Sequence, residues 1–226
     1  MATIKVIEII KRVEDVLQDS NVRWPRVELQ NWLNESYLQI ALLRPDASSK
    51  TGTLTCVAGS RQTITSGFST ALRLLDVVRN LASSSNKKVV RLIERSVLDD
   101  QRPAWHNDTA SVNIQNYTFD VRQPKEFFVF PPATTSAQLE VVYADLPGTH
   151  SLSEANLHPT TGSAEVIKVD DTYLSVITDW ILYRAFSKDA EFAANAARAG
   201  AHYQTFMSSI GNKTQSDVGS SPTEAV

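Results

Sequence analysis

Positions 174–186 read LSVITDWILYRAF, in which Leu174, Val176, Ile177, Trp180, Ile181, Leu182, Tyr183 and Phe186 stand nearly all round a helix. A helix without a wide polar face has to be covered on several sides, so other elements must be brought to it. Asp170 and Asp171 stand where an N-cap is wanted. A second helix is predicted over 190–210, with Phe192, Ala196, Gly200, Tyr203, Met207 and Ile210 on one stripe and alanines beside it that let a neighbour approach closely. Gly211 is placed to end it.

The other end of the chain offers partners. Val6, Ile9, Ile10, Val13, Val16 and Leu17 recur at three- and four-residue steps, which predicts a helix ending near Asp19. After a short link, Pro25 stands at a first-turn position, and the helix 26–43 carries Leu29, Trp32, Leu33, Tyr37, Ile40 and Leu43 on one side before Pro45 stops it. Two amphipathic helices joined by so short a link are expected to pack antiparallel.

Between these helical ends the periodicity changes. TLTCVAGSRQTIT is β-branched with a turn at Ala58 to Arg61, and predicts a β-hairpin. ALRLLDVVRNL fits both templates; its brevity and paired valines favour a strand over a helix. SSSNKK reads as a turn, VVRLIER as a strand, and SVLDDQRPAW as a short helix or loop ended by Pro103. NYTFDVR, KEFFVFPP and LEVVYADLP then predict three strands, the last with Leu139, Val141 and Tyr143 toward one side, in a meander around an aromatic core. Residues 148–163 have no periodicity and read as an exposed connector. The fold class expected is α+β: a helical bundle formed by N- and C-terminal helices, a central antiparallel β-rich insertion and an extended C-terminal tail. In residues, this is 1–45 and 170–212 for the bundle, 46–147 for the β-rich domain, 148–169 for the connector and 213–226 for a polar tail that cannot bury enough apolar surface to fold alone.

Composition narrows the function classes. The chain has 226 residues, 42% hydrophobic and 21% charged, with a formal net charge of -3 and a pI near 5.8, so it lacks the basic excess that draws a protein onto phosphates. The densest basic strip, Lys87, Lys88, Arg91 and Arg95, reads as a solvated face. Cys56 is the one cysteine, which argues against a disulfide-stapled scaffold. The first twenty residues interrupt their apolar positions with Lys, Glu and Asp, so they read as neither signal peptide nor membrane span. No membrane partner is expected.

The parts of common catalytic sites are missing from the sequence: there is no Gly-rich phosphate loop, HExxH, CxxC pair or nucleophile elbow. His106, His150, His158 and His202 are not spaced as metal ligands, and only loop folding would cluster His150 and His158 with Glu154. The pairs Asp99/Asp100 and Asp170/Asp171 sit where turns and helix starts favour Asp. No enzyme activity, metal or cofactor is expected. Trp105, Tyr117, Phe119, Phe127, Phe128, Phe130 and Tyr143 come from successive strands and fill the core of a small sheet; on an exposed face the same types would make a stacking platform.

The order of helices, β middle and helices, together with AWH at 104–106, YTFD and FFVFPP at 117–132, and YRAFSKD at 183–189, resembles the head-to-tail adaptor (connector, neck) proteins of tailed bacteriophages. Trp105, Phe119, Phe128, Phe130, Trp180, Tyr183 and Phe186 are the core landmarks of that resemblance. It implies a structural virion protein, made in the host bacterial cytoplasm, that forms a ring with copies of itself, a dodecamer in short-tailed phages. The ring would join the portal protein to a tail tube or nozzle protein and line a passage for DNA without sequence-specific binding. Resemblance further implies a portal-docking tail, placed by position on Lys213, Thr214, Gln215, Asp217, Val218 and Val226. From the residues, the nearly all-apolar helix 174–186 offers burial beyond its own fold, and a ring needs two complementary faces per subunit. Two other readings compete: a tail or baseplate binding module recognising a surface sugar or protein through exposed Trp105, Tyr117 and Phe119, and an envelope-degrading hydrolase built on Asp99, Asp100 or Glu154 facing another acid.

Overall fold

A computed structural model describes residues 2–82, 87–189, 191 and 193–220. Its helices are α1 (Val6–Leu17), α2 (Arg26–Leu43), α3 (Arg95–Gln101), α4 (Leu174–Lys188) and α5 (Ala193–Ser220). The strands are β1 (Ser49–Thr55), β2 (Gly59–Thr63), β3 (Ala71–Asn80), β4 (Arg91–Leu92), β5 (Asn116–Phe119), β6 (Glu126–Ala133) and β7 (Gln138–Asp145). The chain is therefore mixed α and β. It divides into two compact units, residues 1–47 with 147–226 and residues 48–146.

In the first unit, α1 buries Val6, Ile9, Ile10 and Val13, while Val16, expected on that stripe, faces outward. α2 buries Leu29, Trp32, Leu33, Tyr37 and Ile40; Leu43, read as part of the same side, is exposed. Both helices and α5 pack on α4. Val176, Ile177, Trp180, Ile181, Leu182, Ala185 and Phe186 of α4 are all buried, so its encircling apolar surface is covered inside its own unit. The expectation that α4 keeps apolar area for other copies is corrected accordingly. Burying each such large side chain contributes about 1.5–3 kcal/mol.

α5 also differs from expectation. Its buried positions are Ala199, Phe206 and Ile210, whereas Ala196, Gly200, Tyr203 and Met207 point outward. Apart from Ile210, the predicted stripe lies one residue C-terminal to the buried one, and Tyr203, although 41% exposed, still sets its ring 5.1 Å from that of Tyr183 on α4. Gly211 does not end the helix, which runs on to Ser220; a helical glycine costs only about 1 kcal/mol relative to alanine. Residues 213–220, read as extended, are its last turns, and 221–226, like Phe192, lie outside the described residues.

The segment 148–169 is not simply exposed. Leu157, Ile167 and Val169 join the same hydrophobic cluster as α1, α2, α4 and α5, and His150 is buried. Lys5 forms an isolated antiparallel bridge with Val166, and the Val6 N–H donates to the Glu165 carbonyl at 2.9 Å. Polarity in this stretch signalled loop, and loop it is, but anchored at intervals.

The second unit holds two sheets, ordered β1-β7-β3 and β2-β6-β5-β4. Leu54, Leu74, Val77, Leu139, Val141 and Tyr143 of the first sheet share one cluster with Tyr117, Phe127 and Val129 of the second. β1 and β2 are thus not a hairpin: each pairs antiparallel with a different strand, β7 and β6 respectively. Nor do β5, β6 and β7 form a meander, since β7 leaves for the other sheet. Pro131 and Pro132, at the end of β6, offer no N–H to a ladder, and crossing to a second sheet lets the apolar face of β7 meet that of β6. The ALRLLDVVRNL strand is present as β3, and VVRLIER shrinks to the two residues of β4 before α3 begins. The expected turn at SSSNKK falls largely on 83–86, outside the described residues.

Candidate functional site

β6 alternates, with Phe127 and Val129 turned into the core and Phe128 and Phe130 onto the opposite face. That second face is roofed by α3 and the turn after it. Trp105, fully buried, sits edge-on to Phe128 and Phe130 with ring centroids 6.3 Å away from each, and stacks on His106 at 3.7 Å. Its indole Nε1 donates to Asp99 Oδ1 at 2.9 Å, and Asp99 also pairs with Arg95 at 3.2 Å. The Arg95 guanidinium lies 5.3 Å over the Phe128 ring and that of Arg102 lies 5.6 Å over Phe130. Ser60 Oγ completes the roof with a 2.7 Å bond to His106 Nδ1. The landmarks Trp105, Phe128 and Phe130 are therefore one cluster, while Phe119 is half-buried against the core.

This arrangement decides several candidates. The Trp105 hydrogen bond, with Arg95 beside it, holds the Asp99 carboxyl below its ordinary range, and the same bond fixes the orientation of the indole. Asp100 is exposed, and Glu154 belongs to the other unit. Trp105 and Tyr117 are buried, so the sugar-platform reading lacks the open rings it requires.

An open depression of about 850 Å³ lies beside the cluster, with Arg61, Arg95, Phe119, Arg122 and Glu126 around it. Its arginines are matched: Arg61 with Glu126 at 2.6 Å, Arg122 with Asp120 at 2.7 Å, and Arg95 with Asp99. The Arg122 guanidinium pulls the Asp120 carboxyl down to about 2. Charges balanced in this way build little field for a phosphate. The basic strip also divides, since Lys88 and Arg91 border a different depression, with Asn113 and Asn116, from the one Arg95 borders.

In the first unit the polar residues form a fastening that sequence reasoning missed. His150 Nε2 is 2.9 Å from Tyr37 Oη, and its Nδ1 is 2.8 Å from Glu165 Oε1. Asn34 clamps the His150 backbone, accepting from its N–H at 2.8 Å and donating to its carbonyl at 2.9 Å. Lys168 reaches Glu165 at 2.8 Å and donates its backbone N–H to Tyr37 Oη. Burial holds the His150 imidazole below its usual pKa, against the opposing pull of Glu165. His158 instead contacts Thr160 and Thr161, so the two histidines serve separate local networks. Among the described residues, no group of three His, Cys, Asp or Glu side chains is placed to hold a metal ion.

Asp170 caps its turn as expected, accepting from the Thr172 N–H at 3.0 Å. Asp171 does something else. It accepts from the backbone N–H groups of Thr3 and Ile4 and from Thr3 Oγ1 at 2.6 Å, tying the first residues to the start of α4. A depression of about 610 Å³ borders α1 and α4, with Arg12, Asp15, Val16 and Leu174 around it; its other acids, Asp171 and Asp179, are engaged by Thr3 and His202. Burial pushes the Cys56 thiol up to about 12, so it is a packing residue.

The landmarks of α4 meet α5. Trp180 is 4.9 Å from the Phe206 ring, Tyr183 is 5.1 Å from Tyr203, and Phe186 stacks on His202. Of the expected docking tail, Lys213 lies over the Tyr173 ring at 5.3 Å, Gln215 is exposed, Thr214, Asp217 and Val218 are helical, and Val226 lies outside the described residues. No described helix is long and apolar enough to cross a membrane.

The family model of the SU10 adaptor protein matches residues 4–225. A search of curated proteins finds no match.

Proposed function

The chain belongs to the SU10 adaptor family, a phage head-to-tail adaptor family, and from that premise we propose that it is a structural virion protein forming a ring between portal and tail. In this reading the terminal helices make a bundle from which the β-rich part is inserted. Copies stand side by side, as a dodecamer, against the portal protein on one side and a tail tube or nozzle protein on the other. DNA passes through the lumen without sequence-specific binding. The protein has no catalytic role.

The observation that carries the reading is the shared core: α1 and α2 from one end of the chain and α4 and α5 from the other bury one hydrophobic cluster, with residues 48–146 as a separate unit between them. The net charge of -3 and the arginines matched by carboxylates also favour a conduit that does not hold phosphate. Residues 213–226 are assigned to docking on the portal.

Electron microscopy of the full chain mixed with the phage's portal tests this. A ring of copies on the portal is the expected result, and single bound copies would overturn it. A chain ending at Asn212 is expected to bind portal more weakly; equal binding would remove the docking role of the tail while leaving the ring.

A further inference from the structure

The outer sides of α2 and α5 are unlike that of α1. α1 turns Glu8, Lys11, Arg12 and Asp15 to solvent, as an exposed helix ordinarily does. α2 instead exposes Val27 (37%), Leu38 (49%) and Leu42 (73%), with Asn31 and a half-buried Glu35, held by Arg184, in the same row. On α5, Tyr203 and Met207 are 41% and 40% exposed, and Ala196, Ala197, Gly200, Gln204, Ser208 and Gly211 continue that side without a charge. Absence of charge together with Tyr and Met is the composition of an interface centre, not of a solvated helix.

Resting on the ring reading, we propose that the outer face of α2 in one copy packs against the outer face of α5 in the next. The two faces complement each other in shape and charge. Leu38 and Leu42 project as knobs, and the alanines with Gly200, where an added Cβ would meet nothing within 4 Å, form the shallow surface that receives them. The one charge within these rows, Glu35 of α2, is already paired with Arg184 of α4 at 3.2 Å, so the contact covers an ion pair and not a lone ion. Val27 to Leu42 and Ala196 to Gly211 each run about 22 Å along their helices, so the rows match in length.

The faces lie on different sides of α4. α2 is bridged to it through Glu28–Lys188 and Glu35–Arg184, and α5 meets it through Asp179, Tyr183 and Phe186. A contact between two different faces of one subunit is heterologous, which is the kind that propagates into a ring.

The test uses full-length protein bound to portal, with copies per portal counted by native mass spectrometry. One variant carries Leu38→Glu and Leu42→Glu, the other Gly200→Glu and Met207→Glu, so that the two altered faces repel each other; circular dichroism verifies that each folds, and Leu42→Gln and Gly200→Gln replace any pair that loses helix. Wild type is expected as a multi-copy ring and each variant alone as separate copies. An equal mixture of the two variants is expected to stop at pairs, because it contains one intact α2 face and one intact α5 face. Rings formed by either variant, or a mixture with no pairs, would overturn the assignment of faces while leaving the ring reading intact. Wild type that binds only as single copies would overturn the ring reading and this inference with it.

Discussion

His150 Nε2 lies 2.9 Å from Tyr37 Oη, joining residues 113 positions apart in a site where the imidazole is fully covered. The bond fastens the return of the chain into its first unit to the middle of α2. With Glu165 on the other ring nitrogen, both imidazole positions are used inside the fold.

That geometry makes stability depend on pH. Burial depresses the folded-state pKa of His150 below its ordinary 6.5, so the unfolded chain takes up a proton first as pH falls. The contribution of neutral His150 is complete above about 6.5 and is lost as pH drops through the lower, folded value. Thermal unfolding from pH 7.5 downward is expected to show a falling Tm in that window, and His150→Gln is expected to flatten it. The depressed Glu165 carboxyl adds its own loss only lower, below its ordinary 4.5.

Trp105 is the keystone of the roof over β6. Trp105→Ala is expected to destabilise the second unit by about 3–5 kcal/mol, from lost burial and the cavity left behind. Trp105→Phe keeps most of the ring but removes the bond to Asp99, for a loss of about 1 kcal/mol. Urea unfolding followed by circular dichroism separates the two.

Gly52 has no room for a side chain. An added Cβ would stand 2.6 Å from the Phe68 ring, which is itself stacked on Tyr143 with centroids 4.1 Å apart. Gly52→Val is expected to cost about 1–3 kcal/mol by overpacking. Gly52→Val combined with Phe68→Leu is expected to recover part of that loss in the same unfolding measurement.

Asp171→Ala removes the carboxylate that accepts from Thr3 and Ile4. Hydrogen exchange is expected to accelerate at those two amides while the amides in the middle of α4 keep their protection. Equal acceleration throughout α4 would mean that the carboxylate supports the helix itself.

Where periodicity is strong and turn residues flank it, the sequence was legible: α2 spans Arg26–Leu43 as its spacing predicts, and β3, β5, β6 and β7 lie where their β-branched and aromatic runs place them. Strand partners were not legible, because alternation in β7 says which side is apolar and not which sheet it joins. The same limit hid the separate destinations of β1 and β2. Among candidate site residues, the joining of Trp105 with Phe128 and Phe130 was anticipated only as core, and the part played by Asp99 was invisible, since an aspartate that orients an indole looks in sequence like one that caps a turn. His150 stood in a stretch whose polar residues suggested an exposed connector, whereas Asn34 and Tyr37, on a helix far upstream, supply its partners. The outward side of α5 was missed for a related reason: a hydropathy stripe records that residues are apolar and is silent on which way they face.

The path of the chain, out of the first unit after Ala47 and back at Pro147, also fixes an order of events during synthesis. α1 and α2 leave the ribosome about 130 residues ahead of α4, the helix they cover, while everything needed to close the β unit emerges in between. The inserted part can thus be finished while the first two helices still wait with their apolar sides bare, and translation of the last quarter of the chain is what releases them from that wait.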